Sequence, residues 1–228
     1  MVIAMTKGYS EQTAGAKLCI DLASDWAAEC ISDLNISENV FLMDYGAADG
    51  GTASEFWGKI INDIQEKNQS TEITLIGNDL YSNDNQALIN NLSIQSINNE
   101  VVKTFLCAGS FYDQLVPSEF IDFGFSATAM HWLNKKVENL NDHTHVLASS
   151  NQTARNDFLK QALFDWNQIL DIRSKELKIG GKLLTVNLSR DNENRYLGNN
   201  GGKTVNVHDE IHSIWKELLE EKLITEAE

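Results

Sequence analysis

The residues of this chain whose types and spacing best suit ligand chemistry occupy positions 40–52. An apolar run at positions 40–43 ends in Asp44 and passes into a turn that contains Gly46 and Gly50. This order is typical of a buried parallel strand that ends at a small-ligand site in an α/β sheet. Because glycine has no Cβ, the backbone of such a turn can approach a ligand closely. The stretch therefore predicts either a ligand-binding loop or an ordinary structural turn after a strand.

The charge of this turn favours a ligand with a cationic group over a dinucleotide. Asp44 at the strand end suits the amino group of a ligand such as S-adenosylmethionine (SAM). A dinucleotide-dependent oxidoreductase with the same sheet would carry Gly-x-Gly-x-x-Gly after the strand. The chain instead reads Gly46-Ala-Ala-Asp-Gly50, and Asp49 would repel a pyrophosphate. We therefore prefer the SAM site as the hypothesis for this turn.

The amino-acid composition limits which class of protein this chain can be and which kinds of molecule it can bind. The 228 residues are 42% hydrophobic and include one proline, which is typical of a folded chain. The formal net charge is −15, so we expect no nucleic-acid partner and no anionic membrane partner. No apolar run in the sequence has the length of a membrane span. Three scattered cysteines, Cys19, Cys30 and Cys107, favour reduced thiols and a cytoplasmic protein.

Apolar runs alternate with amphipathic stretches along the chain. This alternation predicts a doubly wound parallel α/β sheet of five strands, in the order 3-2-1-4-5. Leu18, Leu22, Trp26 and Ile31 recur at near-helical spacing and predict a helix over residues 11–34. The predicted strands are 40–43, 73–76, 101–107, 120–125 and 182–188, and the later helices start at Ala53, pass through Leu88 and Leu92, and cover 153–178 and 211–223.

We expect this organisation to form one domain over residues 1–228. The helical segment 1–38 should close over the ligand site. The pair Gly180-Gly181 predicts a turn before the fifth strand. The polar, glycine-rich segment 189–206 predicts a mobile loop.

Motifs at the predicted strand ends resemble those of one known family, the plant salicylate, benzoate and theobromine methyltransferases called SABATH. In that family's order and spacing, the chain carries Gly109-Ser110-Phe111-Tyr112, Leu115-Val116-Pro117-Ser118 and Ser126-Ala127-Thr128-Ala129-Met130-His131-Trp132-Leu133. Two further stretches are similar, namely Asn78-Asp79-Leu80 with Asn83-Asp84-Asn85, and Glu176-Leu177 before Gly180-Gly181. The resemblance runs from Tyr9 to the end of the chain. It implies a Rossmann-like class I methyltransferase that transfers a methyl group from SAM to a small-molecule carboxylate (O-methylation) or a heterocyclic nitrogen.

The resemblance also implies which residues contact SAM and its product S-adenosylhomocysteine (SAH). Asp44 and Gly46 fall near the methionyl end of the cofactor. Asp79 would accept both ribose hydroxyls in a charge-assisted contact. Leu80 and Phe111 would flank the adenine. The full implied set is Tyr9, Thr13, Asp44, Gly46, Thr52, Asp79, Leu80, Ser110, Phe111 and Ser126.

At the implied methyl-acceptor site, fewer residues of this chain match those of the family. The candidates for this site are Gln12, Thr128, His131 and Trp132. The family's carboxylate-binding Gln aligns with Ala16, and a family Tyr aligns with Thr128. An unreplaced donor at a buried carboxylate would cost about 1.5–3 kcal/mol, so either Gln12 substitutes or the acceptor is not a typical carboxylate. His131 could orient an acceptor, remove a proton, or be an ordinary histidine of the pocket wall.

The implied chemistry requires no catalytic side chain, and His131 and Trp132 are candidates only for orienting the acceptor. A sulfonium methyl group is already activated, and a carboxylate is ionised at neutral pH, so orientation and exclusion of water supply most of the acceleration. We expect no metal, because His143 and His145 lie on opposite sides of an extended segment.

Two expectations concern completeness and partners. The chain stops where the family continues, so the family's C-terminal cap and last two strands are expected to be missing. Exposed apolar surface at the fifth strand would then favour a homodimer or a complementing C-terminal segment. A degenerate methyltransferase fold that serves as a binding or partner module, without turnover, is the alternative to a small-molecule methyltransferase.

Overall fold

The computed structural model describes residues 5, 7–97, 99–137, 140–189, 191–192 and 207–225. Most of the segment 189–206, which we expected to be mobile, lies outside the described residues. The helices are α1 (Tyr9–Gln12), α2 (Ala14–Leu22), α3 (Ser24–Asp33), α4 (Ser54–Lys67), α5 (Asn85–Ser93), α6 (Gln152–Glu176) and α7 (Val207–Glu220). The strands are β1 (Asn39–Tyr45), β2 (Glu72–Asp79), β3 (Val102–Ala108), β4 (Ile121–Ala127) and β5 (Leu177–Val186).

These five strands form one parallel sheet in the order β3-β2-β1-β4-β5, as the sequence predicts. Parallel neighbours need a crossover connection, and α4 and α5 lie in the connections from β1 to β2 and from β2 to β3. The central strand β1 is buried over most of its length. All five strands end at the same edge of the sheet, so the acidic and glycine residues that follow β1 and β2 lie side by side.

Aromatic packing fixes the helix that follows the glycine turn. The predicted apolar face of α4 is buried and includes Phe56, Ile60, Ile61 and Ile64. The Phe56 ring stacks on Phe125 of β4 with 4.1 Å between ring centroids. Full burial of one such side chain stabilises the fold by about 1.5–3 kcal/mol. Because α4 and β1 are both fixed in the core, the turn between them is held at both ends.

The N-terminal segment differs from the single helix predicted over 11–34, because it forms three helices. Of the four apolar residues that suggested the helix, Leu18, Leu22 and Trp26 are 58%, 70% and 61% exposed, whereas Ile31 is buried. A second stripe at the same spacing is buried instead and consists of Ile20, Ala23, Ala27 and Ile31. Hydrophobic periodicity alone cannot indicate which of two helix faces with the same spacing is buried. The small alanines of the second stripe permit close packing, and this decides which side faces the core.

The fifth strand also differs from its prediction. β5 begins at Leu177 and ends at Val186, so Gly180-Gly181 lies inside the strand and not in a turn before it. The pairing with β4 is irregular here, with a register shift between Ile121 and Phe123. Gly180 has a φ of 83°, which a residue with a Cβ rarely adopts. The glycine pair therefore forms a bulge that lets the strand continue.

The chain divides into two compact units. The first comprises residues 1–134 and 165–187 and contains the sheet; the second comprises residues 135–164 and 188–228 and contains α7. The apolar residues that predicted α7 remain partly exposed and include Ile211, Ile214 and Trp215. Within the described ranges, no helix is both long and apolar enough to cross a membrane. The expectation of one domain over 1–228 stays a prediction.

Candidate active site

The carboxyl ends of β1 and β2 bring the predicted cofactor residues together. The turn after β1 is anchored to β2, since the amides of Gly46 and Ala47 both donate to the Asn78 carbonyl at 2.9 Å. Two asparagine side chains hold the turn from the other side. Asn83 donates to the Ala48 carbonyl at 2.6 Å, and Asn91 donates to the Asp49 carbonyl at 2.7 Å. The glycine turn is thus a preorganised loop.

Two features require glycine at position 46, namely its backbone conformation and the nearby side chain of Ala129. The φ of Gly46 is 73°, and a Cβ placed there would lie 2.4 Å from the Ala129 Cβ and 3.8 Å from the Phe111 ring. Three predicted site segments therefore converge at Gly46: the glycine turn, the segment after β3 and the segment after β4. The place that a Cβ would take is occupied by Ala129, so glycine is needed here for close packing of these segments, and a close approach to a ligand stays a prediction.

Asp79 at the end of β2 bridges two segments of the site. Its Oδ2 accepts a hydrogen bond from the Ala48 amide at 2.7 Å, and its Oδ1 accepts one from the Leu80 amide at 2.7 Å. Burial raises the pKa of Asp79, and these two amide donors oppose the rise. Each carboxylate oxygen has a second lone pair that can accept a further donor. The side chain therefore supports the turn and can also accept two hydroxyl groups.

Asp44 at the end of β1 is almost fully buried, at 3% exposure. The indole Nε1 of Trp57 donates to its Oδ2 at 2.8 Å. Burial is the main cause that raises the pKa of Asp44 to about 7, and the indole hydrogen bond opposes this. This carboxyl therefore changes charge near neutral pH, and a nearby cation would favour its ionised form.

The N-terminal segment contacts the glycine turn through Ser10, which was not among the predicted site residues. The amide and the hydroxyl of Ser10 both donate to Asp49 Oδ2 at 2.9 Å. A Cβ on Gly51 would lie 2.3 Å from the Ser10 hydroxyl, so only glycine fits there. The Thr13 hydroxyl donates to the Tyr9 carbonyl at 2.7 Å. The substrate candidate Gln12, on the same short helix, is exposed.

The segments after β3 and β4 are tied to each other. The Tyr112 hydroxyl donates to the Trp132 carbonyl at 2.7 Å. Asp165 of α6 accepts a hydrogen bond from the Asn134 amide at 2.9 Å. Thr128 has a φ of 51°, which is unusual for a β-branched residue and concentrates strain at this point. The candidate acceptor residues thus stand on a backbone that is held at several points.

His131 and Trp132 differ in exposure. Burial lowers the pKa of His131, so its imidazole is neutral at pH 7. Its Nδ1 is buried and has no hydrogen-bond partner within the described part of the chain. Trp132 is 58% exposed, and its ring lies 5.7 Å from that of His131. An unpaired buried nitrogen costs about 1–3 kcal/mol.

The remaining predicted contacts are more enclosed. Ser126 is 1% exposed, and its hydroxyl donates to the Tyr45 carbonyl at 2.9 Å. Thr52 is 7% exposed. Ser110, Phe111 and Leu80 are half-buried around the turn. The predicted ligand roles of all these residues stay predictions.

A family model described as SAM dependent carboxyl methyltransferase matches residues 5–228. The chain belongs to this family. The match confirms the resemblance that the strand-end motifs indicate. Membership makes the converging glycine turn, Asp79 and Phe111 the natural place to look for the family's cofactor site.

Relatives of this chain include three from Petunia hybrida, the S-adenosyl-L-methionine:benzoic acid/salicylic acid carboxyl methyltransferases 1, 2 and 3. Each is 30% identical over 209 residues, which cover 84% of this chain and 54% of the relative. Probable jasmonic acid carboxyl methyltransferase 2 from Theobroma cacao is 24% identical over 219 residues, which cover 83% of this chain and 59% of the relative. The chain thus spans little more than half the length of these relatives.

A solved structure, loganic acid methyltransferase with SAH, shares the fold of this chain. The TM-score is 0.77 at 19% identity, and the match covers 99% of this chain and 69% of that structure. The five-stranded parallel sheet predicted from the sequence is therefore the methyltransferase fold.

The sequence does not predict a buried ion pair at the end of α6, between Arg173 and Glu176. Arg173 and Glu176 are both 0% exposed, and Arg173 donates to the carbonyls of Phe111 and Asp113 at 3.0 and 2.8 Å. The only signal was the Glu176-Leu177 motif, which gave no indication of a contact with the segment after β3. Sequence spacing cannot reveal a contact across about 60 residues.

Four histidines cluster in the second unit, namely His143, His145, His208 and His212. The rings of His143 and His212 stack with centroids 4.2 Å apart, and those of His145 and His208 stack at 3.6 Å. His143 Nε2 lies 3.3 Å from Asp209 Oδ1. Among the described residues, no group of three or more His, Cys, Asp or Glu side chains has the arrangement of a metal site.

We expect the second unit to lose stability in mild acid. Burial, followed by the charges of His208 and His143, lowers the pKa of His145 to about 4, and burial lowers the pKa values of His208 and His212. The unfolded chain therefore binds more protons, so this stability is complete above about pH 6.5 and is lost as pH falls towards about 4. Hydrogen exchange of the α7 amides at pH 7.5 and pH 5, corrected for intrinsic rates, checks this.

The double replacement His145→Gln/His208→Gln supplies the control for this pH effect. Without the stacked pair, protection of α7 should change much less between the two pH values. Equal pH dependence in the two proteins would mean that other groups cause the effect.

Proposed function

We propose that this protein transfers a methyl group from SAM to a small-molecule carboxylate. The observation that carries the proposal is the convergence of Asp44, the Gly46 turn and Asp79 at one sheet edge, in a chain of the carboxyl methyltransferase family. The names of the benzoic acid/salicylic acid and jasmonic acid relatives support a small carboxylic acid as the acceptor.

The residues at the sheet edge fit the cofactor. Gly46 lets the turn pack against the segments after β3 and β4, and Asp79 has acceptor capacity for the ribose hydroxyls. We assign the contact with the cationic methionyl amino group to Asp44. When bound, SAM supplies an activated methyl group on a sulfonium. We assign the other contacts to Tyr9, Thr13, Thr52, Leu80, Ser110, Phe111 and Ser126.

The proposed acceptor residues orient the substrate and limit its access to water. His131 is neutral, so its imidazole can donate one hydrogen bond to a carboxylate oxygen without adding charge. Trp132 offers an indole N–H and an apolar wall. Thr128 shapes the same wall through its left-handed backbone, and Gln12 is the candidate donor from the N-terminal segment. A carboxylate acceptor needs no general base, so positioning supplies most of the rate.

Isothermal titration tests this function directly. We expect the purified chain to bind SAM and SAH and not to bind NADH. A screen of small carboxylic acids and nitrogen heterocycles, read as the gain of one methyl mass, then identifies the acceptor. Micromolar affinity for NADH without affinity for SAH would overturn the proposal.

Trp132→Phe should raise the KM for the acceptor about three- to tenfold, because the indole hydrogen bond is lost while the apolar wall remains. SAM affinity should be unchanged. Steady-state kinetics with each substrate varied in turn measure both values. Trp26→Phe is the matched control, because Trp26 is 61% exposed and lies on α3. If Trp132→Phe weakened both ligands equally, Trp132 would act through the fold and not through the acceptor.

We expect SAM affinity to rise about tenfold from pH 6 to pH 8, because the ionised fraction of a carboxyl with a pKa of about 7 rises about tenfold over this range. The pKa of Asp44 is raised to about 7, so its carboxyl is mostly neutral at pH 6 and mostly anionic at pH 8. The anionic form attracts the ligand's amino group. Titrations at the two pH values measure the effect.

Two controls identify Asp44 as the cause. Asp44→Asn should bind SAM weakly and almost independently of pH. The ligand 5′-methylthioadenosine lacks the amino-acid part, so its affinity for the unmodified protein should change little. A pH-dependent affinity for 5′-methylthioadenosine would assign the titration to another group.

The partners and the compartment follow as further parts of this proposal. We propose that a second copy of the chain or a complementing C-terminal segment pairs along β5. This strand is an edge of the sheet that the described residues form, and its Ile179 is 94% exposed. Light scattering measures the assembly. The free thiols of Cys19, Cys30 and Cys107 support a reducing, cytoplasmic setting.

A further inference from the structure

The end of α6 carries a buried ion pair close to the candidate cofactor site. Arg173 and Glu176 are 0% exposed. Arg173 Nη2 donates to Glu176 Oε1 at 3.2 Å, and Arg173 Nε lies 2.9 Å from Glu176 Oε2 without the alignment of a hydrogen bond. Burying two charges carries a large desolvation cost, which the pair's mutual attraction offsets only when further hydrogen bonds are present. The other contacts of this pair therefore indicate what it does.

Those contacts are main-chain atoms of the segment after β3, residues 111–116. Arg173 donates to two of its carbonyls, those of Phe111 and Asp113. Glu176 Oε1 accepts from two of its amides, Leu115 at 2.5 Å and Val116 at 3.3 Å. A guanidinium and a carboxylate thus fix the backbone of one short loop at four points, with charge-assisted bonds that are stronger than neutral ones.

The same pair reaches the end of β1. The Tyr45 hydroxyl donates to Glu176 Oε2 at 2.8 Å, and the Arg173 guanidinium carbon lies 4.5 Å from the centroid of the Tyr45 ring. Tyr45 is the last residue of β1 and directly precedes Gly46. The ion pair therefore connects the glycine turn with the loop that carries Ser110 and Phe111.

We propose that Arg173 and Glu176 are positioning residues that set the affinity of the adenosyl site by holding Ser110-Phe111 against the Gly46 turn. This inference rests on the proposed function. Both side chains are fully buried within the protein. Their effect passes through the backbone, because a displacement of about 1 Å in a binding group can cost up to a hundredfold in function.

Three variants test the proposal. Arg173→Met/Glu176→Gln removes both charges at similar volume, which avoids leaving one charge buried without its partner. Tyr45→Phe removes only the hydroxyl that donates to Glu176. Asp122→Asn/Lys178→Met is the matched control, because it removes another ion pair, which joins β4 to β5 at 2.7 Å, and among the described residues that pair makes no hydrogen bond to residues 111–116.

Isothermal titration with SAH is the first measurement. We expect the Arg173/Glu176 double variant to lose at least about tenfold in SAH affinity, and Tyr45→Phe to lose about threefold. The control pair should lower the melting temperature without changing SAH affinity. In kinetics, the KM for SAM should rise and the KM for the acceptor should not. Hydrogen exchange should accelerate at the Leu115 and Val116 amides specifically, which a general loss of stability would not produce.

The outcomes separate this inference from the proposed function. If the unmodified protein does not bind SAH, the proposed function fails and this inference fails with it. If it binds SAH and the folded double variant binds equally tightly, the positioning role is wrong while the function stands. Should the double variant not fold, Tyr45→Phe decides: unchanged SAH affinity together with unchanged exchange at Leu115 overturns the proposal.

Discussion

Gly46→Ala should reduce SAM affinity at least about a hundredfold, because small displacements at a binding site carry costs of this size. The new Cβ would lie 2.4 Å from the Ala129 Cβ, far inside the contact distance, and the φ of 73° adds backbone strain. The turn must then move away from the segment after β4. Isothermal titration measures the affinity, and circular dichroism verifies that the sheet is retained.

Two variants separate the steric effect from the backbone effect. Gly180→Ala has the same kind of strain, with a φ of 83°, but its Cβ meets nothing within 4 Å. It should lower stability by about 1–2 kcal/mol, as a left-handed non-glycine residue does, and leave SAM affinity unchanged. Adding Ala129→Gly to Gly46→Ala removes the clashing atom and should restore part of the affinity. An affinity loss as large in Gly180→Ala would contradict a local role for Gly46.

Asp79→Ala should weaken SAM binding at least about tenfold, since a hydrogen bond to a charged group contributes about 1.5–3 kcal/mol. The carboxylate would accept the ribose hydroxyls, and it also holds the Ala48 amide, whose residue has a left-handed φ of 52°. Asp79→Asn should give an intermediate loss, because an amide retains one acceptor oxygen. Titration of both variants with SAM and with 5′-methylthioadenosine measures the ribose contribution.

Asp84→Ala is the control for the loss of a carboxylate in the same region. Asp84 caps α5, where it accepts a hydrogen bond from the Ala87 amide. Its removal should cost about 1 kcal/mol of stability, as loss of a helix cap does, without affecting SAM. Unchanged affinity in a folded Asp79→Ala protein would remove Asp79 from the site.

The sheet could be derived from the sequence because its signals are local. Each buried parallel strand appears as a short apolar run, and right-handed crossovers leave few orders for five such strands. The same locality placed Asp44, Gly46 and Asp79 at one edge, since a residue directly after a parallel strand lies at the carboxyl end of the sheet. The observed order β3-β2-β1-β4-β5 agrees with that derivation.

The predictions that were wrong concern segments whose local sequence pattern allowed two structures. Leu18, Leu22 and Trp26 recur at helical spacing, yet the alanine-containing stripe beside them is buried. Gly180-Gly181 has the composition of a turn, yet it forms a bulge within β5, because strand pairing with β4 continues on both sides of it. Amino-acid composition and hydrophobic periodicity indicate which local structures a segment can form. Tertiary packing then determines which of these structures is adopted.

By itself, the sequence determined the strands, the glycine turn and the acidic residues that follow it, because these depend on residues adjacent in the chain. Only the tertiary structure decided that Ser10 closes on Asp49 and that Arg173 and Glu176 hold the backbone of residues 111–116. Such contacts join residues 39 to about 60 positions apart. They form only after the chain has collapsed, because burial makes each unpaired charge and each free backbone group costly and so selects the partners that satisfy them.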